Sequence, residues 1–158
     1  MGKKSTKENK TIYQTLREEA GLTRAAAAEA LEFISEDRIE KIEYEKTSPL
    51  PEEVFAMSKA YKAPDLCNHY CSHICRIGQD YVPEVKIKDL SQITLEMLAS
   101  LNSLNKEKER FVEIAVDGKI TEDEMQDFER IREQLNQIMM AVNSLNLWVK
   151  KVMDDNEG

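Results

Sequence analysis

In the first half of the chain, apolar residues recur every three or four positions, in short bursts separated by cap and turn residues. This is the pattern of short amphipathic helices. Thr11 with Gln14 three residues on forms a capping box that opens a first helix, and Gly21 suits the left-handed position that ends it. Thr23 caps a second helix, through the alanines at 25–28 to Leu31, and Ser35 caps a third over residues 36–43. Pro51, followed by Glu52 and Glu53, opens a fourth. Pro64 with Asp65 opens a fifth, expected to run through the cysteines to Gly78. Ile12, Leu16, Leu22, Ala27, Leu31, Ile39, Ile42, Val54, Met57, Ala60 and Leu66 are the expected core.

The pattern then changes. Residues 79–88 contain Pro83 and no helical period, and read as a linker. Two long helices follow. Asp89 with Gln92 caps the first, whose apolar line is Leu90, Thr94, Met97, Leu101, Leu104, Lys108, Phe111 and Ala115. Asp117-Gly118 breaks it, and Thr121 with Glu124 forms a capping box for the last helix, which reaches about Met153. Phe128, Ile131, Leu135, Ile138, Val142, Leu145, Val149 and Val152 alternate steps of three and four without a polar interruption, the seam of a coiled coil. The short break between these helices forces an antiparallel hairpin. The predicted fold is all-α: a five-helix domain over residues 11–78, a linker over 79–88, and a long antiparallel two-helix hairpin over 89–154.

Composition narrows the picture. Only 5 Gly and 4 Pro occur in 158 residues, too few for the turns of an all-β fold. No apolar run is long enough to cross a membrane, and the Lys-rich start lacks the apolar stretch of a signal peptide, so a cytoplasmic protein is expected. The net charge of −8 is unevenly spread. Residues 1–10 carry four Lys against one Glu, a basic flexible arm, whereas residues 11–75 carry seven basic and twelve acidic side chains.

The segment Leu16-Arg17-x-x-Ala20-Gly21-Leu22-Thr23, followed by Ala28-Glu29-x-Leu31, resembles the start of the Cro/repressor-type, Xre-like helix-turn-helix regulators. Ser35, then Arg38-Ile39-Glu40-Lys41-Ile42-Glu43, then Lys46-x-Ser48-Pro49 continue the likeness across residues 11–75. The resemblance implies a transcriptional regulator that binds a double-stranded DNA operator as a homodimer, with the third helix in the major groove. By position it implies that Ser35, Glu36, Asp37, Arg38 and Lys41 face DNA, with Arg24 and Lys46 on the backbone. This chain differs from the family pattern in having Arg24 in place of Gln, and Glu32-Phe33 where one Gly usually precedes the apolar residue, here Ile34. Glu36, Asp37 and Glu40 also put carboxylates on or near the reading helix. A carboxylate accepts from cytosine N4 but repels phosphate. The alternative is a protein-interaction module, an adaptor or antagonist whose acidic helix-turn-helix-like surface does not bind DNA. The hairpin, through Phe128, Ile131, Leu135, Ile138, Val142, Leu145, Val149 and Val152, is expected to be the oligomerisation element.

Cys67, His69, Cys71, His73 and Cys75 hold every Cys and His of the chain. On one helix the cysteines share a face and the histidines lie off it, so a single helix does not wrap all five around one metal. The expectation is three reduced cysteines packed as small apolar residues and no metal, with Cys67, Cys71 and Cys75 the candidates for zinc or redox chemistry otherwise. The 113–124 segment has part of an EF-hand spacing but lacks a ligand, and is read as a helix turn. No phosphate loop, zinc-protease motif or nucleophile triad is present, so no enzyme activity and no cofactor are expected.

Overall fold

The computed structural model describes residues 9–156, and among these the regular structure is entirely helical. The chain divides into two compact units: one runs to Val85 and takes in the chain from Lys150 onward, and the other is 86–149.

The first unit contains α1 (Ile12–Glu19), α2 (Arg24–Leu31), α3 (Glu36–Glu43), α4 (Pro51–Ala60), α5 (Asp65–His73) and α6 (Arg76–Tyr81). Local chemistry sets the ends. Thr11, Thr23 and Ser35 accept the backbone N–H of Gln14, Ala26 and Arg38, three residues on. The Thr11 box is only half realised, because Gln14 Nε2 donates to Glu18 instead of reaching back. Three helices end in the same left-handed motif. After α1, Gly21 N–H bonds to Glu18 O and Leu22 N–H to Arg17 O; the pairs after α3 and α4 are analogous. Gly21 fits the positive φ of that motif, but Glu45 and Lys62 occupy it at φ 56° and 50°, where a Cβ is unfavourable.

The expected core residues pack together with Tyr13 of α1 and with three that lie outside any helix, Ile34, Tyr61 and Ala63. One expectation is corrected here: the fifth helix does not reach Gly78. Cys75 takes an extended conformation and its Sγ accepts Gly78 N–H at 3.4 Å, so a new helix, α6, starts there. This sharp reversal requires glycine, since a Cβ at Gly78 would sit 2.0 Å from the Cys71 carbonyl oxygen. The first residues of the expected linker are therefore helical, and the extended stretch begins at Val82. The last turns of α9 (Met125–Asn156) belong to this unit, with Lys59 Nζ 3.1 Å from Asp154 Oδ1 and Lys151 Nζ donating to Lys62 O.

The second unit holds α7 (Leu90–Lys106), α8 (Lys108–Ala115) and α9 up to Val149. The helix expected to continue to Val116 is broken at Glu107, whose backbone leaves the helical range between α7 and α8. Arg130 forks onto Glu107 at 3.0 Å twice, and Arg110 bonds Asp127 at 2.7 Å. Stepping three residues forward on α8 means three back on α9, so the two run antiparallel. Glu124 accepts the N–H and hydroxyl of Thr121, which closes the turn before α9 rather than capping the helix from Thr121.

The seam is divided. Ile131 is fully buried and Ile138 and Leu145 partly so, while Leu135, Val142 and Val149 stay 39%, 41% and 40% exposed. Ala141, Ser144 and Leu147 complete the buried face of α9, and Ile93 and Ser100 of α7 are also buried. On α7 the inner residues are Ile93, Met97, Ser100 and Leu104, so Leu90, Thr94 and Leu101 of the expected line lie outside.

Candidate nucleic-acid interface

Helices α2 and α3 pack through Ala27, Leu31, Ile39 and Ile42, all buried. The turn between them carries one more residue than the family pattern, and the backbone absorbs it at one position. Glu32 sits at φ 57°, ψ −47°, and Phe33 N–H bonds to Leu31 O at 2.6 Å. That is a γ-turn of the rare positive-φ kind, which is strained. Glu32 and Phe33 are thrown outward, leaving Phe33 63% exposed, while Ile34 still plugs the core and Ser35 still caps α3. Ile39 and Ile42 occupy the inner face of α3.

A buried carboxylate fixes the three helices. Glu43, at the end of α3, receives Arg17 Nε at 2.5 Å and Nη2 at 3.1 Å from α1, and Arg24 Nε at 2.8 Å from α2. Arg17 also donates to Leu22 O at 2.6 Å, tying in the turn at Gly21. With two guanidiniums on one carboxylate, the charge of Glu43 is compensated where water does not reach it.

The same pairing engages the residues expected to face DNA. Arg24, besides Glu43, reaches Glu40 at 3.3 Å and lies over the Tyr44 ring at 5.0 Å. Arg38 forks onto Glu53 of α4, and its Nη1 and Nη2 donate to Thr47 Oγ1 at 2.7 Å and Ser48 O at 3.1 Å. The hydrogen bond from Arg38 holds the Glu53 carboxyl below the usual carboxylate range, outweighing its burial, with Leu50 N–H adding to the effect. Lys41 pairs with Asp37 at 2.7 Å. Lys46 lies 5.6 Å from the centre of the Tyr44 ring. Ser35, Glu36, Asp37, Lys41 and Lys46 are exposed; Arg24 and Arg38 are half-buried.

Sequence reasoning missed Glu43, Thr47, Ser48 and Glu53 as the residues that hold the cations. Glu53 carries a readable signal only for its second task, accepting Leu50 N–H at the start of α4. Of the basic arm, Lys3, Lys4 and Lys7 lie outside the described residues, and Lys10 is paired with Glu18 at 2.6 Å.

The break between α5 and α6 takes Cys75 off the helix that carries Cys67 and Cys71. Cys67 Sγ bonds Ser58 Oγ at 3.3 Å, Cys75 caps α6, and burial, with Cys75 and Cys67 nearby, pushes the Cys71 thiol up. His69 and His73 stack at 4.4 Å. Among the described residues no three His, Cys, Asp or Glu side chains are grouped to hold a metal ion, and no helix is long and apolar enough to cross a membrane.

Residues 14–64, from α1 to the residue before α5, match the model of the helix-turn-helix family. No curated protein and no solved structure matches the chain.

Proposed function

We propose that the chain, with its N-terminal helix-turn-helix, is a transcriptional regulator that binds an operator as a dimer, α3 entering the major groove and α9 pairing the two copies. The observation that carries this reading is the preserved α2–turn–α3 frame: α3 is capped by Ser35, keyed by Ile39 and Ile42, and tied through Glu43 to both α1 and α2. Such a frame holds a reading helix to one orientation, which base readout requires. Ser35, Glu36, Asp37 and Lys41 are then the base-facing set, with Lys46 on the phosphates. Arg38 shapes the α3–α4 loop rather than reaching for a base. The exposed half of the seam, Leu135, Val142 and Val149, supports pairing through a second hairpin as a four-helix bundle. The 32 residues of α9 span ~48 Å, and repressor-type half-sites are ~34 Å apart.

A specific observation favours the second reading, a protein-interaction module. Arg24, Arg38 and Lys41 are all paired with carboxylates of the same domain, so the reading side presents unneutralised acid at Glu36 and around the turn at Glu32. Selection of genomic fragments by the purified protein, then titration of the enriched sequence at several salt concentrations, separates the two. A regulator gives one enriched sequence and a slope of about −0.9 per phosphate neutralised. Absence of enrichment at low salt leaves the interaction module as the reading.

A further inference from the structure

Behind the α3–α4 loop lies a cavity of roughly 410 Å³ that the helix-turn-helix reading does not use. Its floor is apolar: Ile12 and Tyr13 of α1, Ile42 of α3 and Ile74 after α5. The loop from Glu45 to Pro49 closes one side, and His69 and His73 of α5 close the other. The volume falls in the range of small-molecule sites, and an apolar floor with a few polar groups at the mouth is their usual make-up.

We infer that this cavity binds a small organic cation, an ammonium group on an apolar or aromatic body, and that the α3–α4 loop feels its presence. Charge decides the sign of the ligand. No Lys or Arg lines the cavity, and the one carboxylate among its lining side chains is Glu45. Glu45 is exposed at φ 56°, the left-handed position that ends α3, and no ion pair engages it among the described residues. A second carboxylate, Glu84, stands 3.6 Å from His73 Nε2. The aromatic groups agree. His69 and His73 stack with 20° between their planes, and Tyr13 meets His69 edge-on at 6.4 Å, so the wall offers π surface to a cation or to a flat apolar body. Burial, and then the neighbouring His73, push His69 below its ordinary imidazole value, against the opposing pull of Glu84 and Asp65.

The connection to the loop is direct. Thr47 and Ser48 line the cavity, and the same two residues hold the Arg38 guanidinium through Thr47 Oγ1 and Ser48 O. An occupant that presses on them shifts the clamp that links α3 to α4. That this tunes operator binding rests on the DNA-binding reading; the site itself does not.

The test uses the full chain without DNA. His69 and His73 are its only two histidines, so their ring resonances report the cavity wall without overlap. Phenethylammonium, phenylacetate and 2-phenylethanol serve as probes of one shape and three charges. Saturable movement of both histidines with the ammonium, weaker movement with the alcohol and none with the carboxylate is the expected result. Glu45→Gln, a change at an exposed residue, should weaken the ammonium by about five-fold and leave the alcohol unaffected. Equal response to all three probes, no saturable response to any, or an unchanged ammonium affinity in Glu45→Gln overturns the proposal. Titrating operator DNA with and without saturating ammonium is a separate arm. Histidine shifts with unchanged DNA affinity keep the site and remove its regulatory role, and no DNA binding in either condition counts against the regulator reading alone.

Discussion

Arg38 and Glu53 meet fork to fork, Nε to Oε1 and Nη2 to Oε2, both at 2.8 Å. Glu53 is buried on α4, so the pair joins α3 to α4, and two further bonds from the same guanidinium pin the loop between them. Removing Arg38 leaves a buried carboxylate without its main partner. Arg38→Ala should lose about 1–3 kcal/mol of stability in denaturant unfolding. Replacing both partners, Arg38→Met with Glu53→Leu, should recover part of that loss. The sign with pH follows from the depressed Glu53 carboxyl. Its stabilisation is fully present above the unfolded carboxyl value, about 4.3, and is lost as pH falls through the lower folded value. The gap between wild type and Arg38→Ala should therefore be constant near neutrality and close in acid. A gap that is independent of pH would mean the pair is not the source.

Glu32 places an L-residue in the strained γ-turn between α2 and α3. Glycine takes that φ without the Cβ penalty. Glu32→Gly should raise stability by about 1 kcal/mol, while Glu32→Val should lower it. Thermal unfolding of the three proteins checks the order, and a destabilised glycine variant would show that the turn is not under strain.

Gly78 has no room for a side chain, since the added carbon would lie 2.0 Å from the Cys71 carbonyl oxygen and 2.9 Å from its Cα. Both are backbone atoms of α5 and do not move without shifting that helix. Gly78→Ala should cost about 3 kcal/mol. The control is Gly118→Ala in the α8–α9 turn: a Cβ there meets nothing within 4 Å, so any loss comes only from its positive φ. Denaturation midpoints of the two variants should differ clearly, and equal midpoints would contradict the close α5–α6 approach.

The parts of this fold that were legible in the sequence are those a single turn of helix decides. Thr23, Ser35 and Asp89 cap because a polar side chain three residues before an amide is a local event. Ile39 and Ile42 fell on the inner face because their spacing is the helix's own. What was not legible depends on neighbours distant in the chain. Nothing in the spacing of Arg38 announces Glu53, fifteen residues on, as its partner. Ile34 and Tyr61 reach the core from turn and cap positions, where no period exists to reveal them. Cysteine is a poor cap former, so the break at Cys75 left no signal, and only the close approach at Gly78 explains it. In α9, a strict heptad reading selects large apolar residues, but the inner face turns onto Ala141 and Ser144, whose small side chains admit a close neighbour.

That division of α9 makes the proposed dimer testable by position. Leu135, Val142 and Val149 recur every seven residues and remain substantially exposed, with Met139 between the first two, whereas Ile131 is fully buried. One hairpin has already satisfied the Ile131 side, and the heptad on the other side is free to meet its copy. Each large apolar side chain moved fully out of water contributes ~1.5–3 kcal/mol, so several such residues per copy sustain a dimer at micromolar concentration. Leu135→Asp with Val142→Asp should give a monomer in sedimentation whose helical circular dichroism is retained, because neither residue belongs to the inner face. Ile131→Asp should instead unfold the hairpin, since it buries an unpaired charge. The two outcomes separate pairing from folding: a wild-type chain that is monomeric at high micromolar concentration, or a double variant that loses helix as Ile131→Asp does, removes α9 as the pairing element and leaves operator binding to single domains.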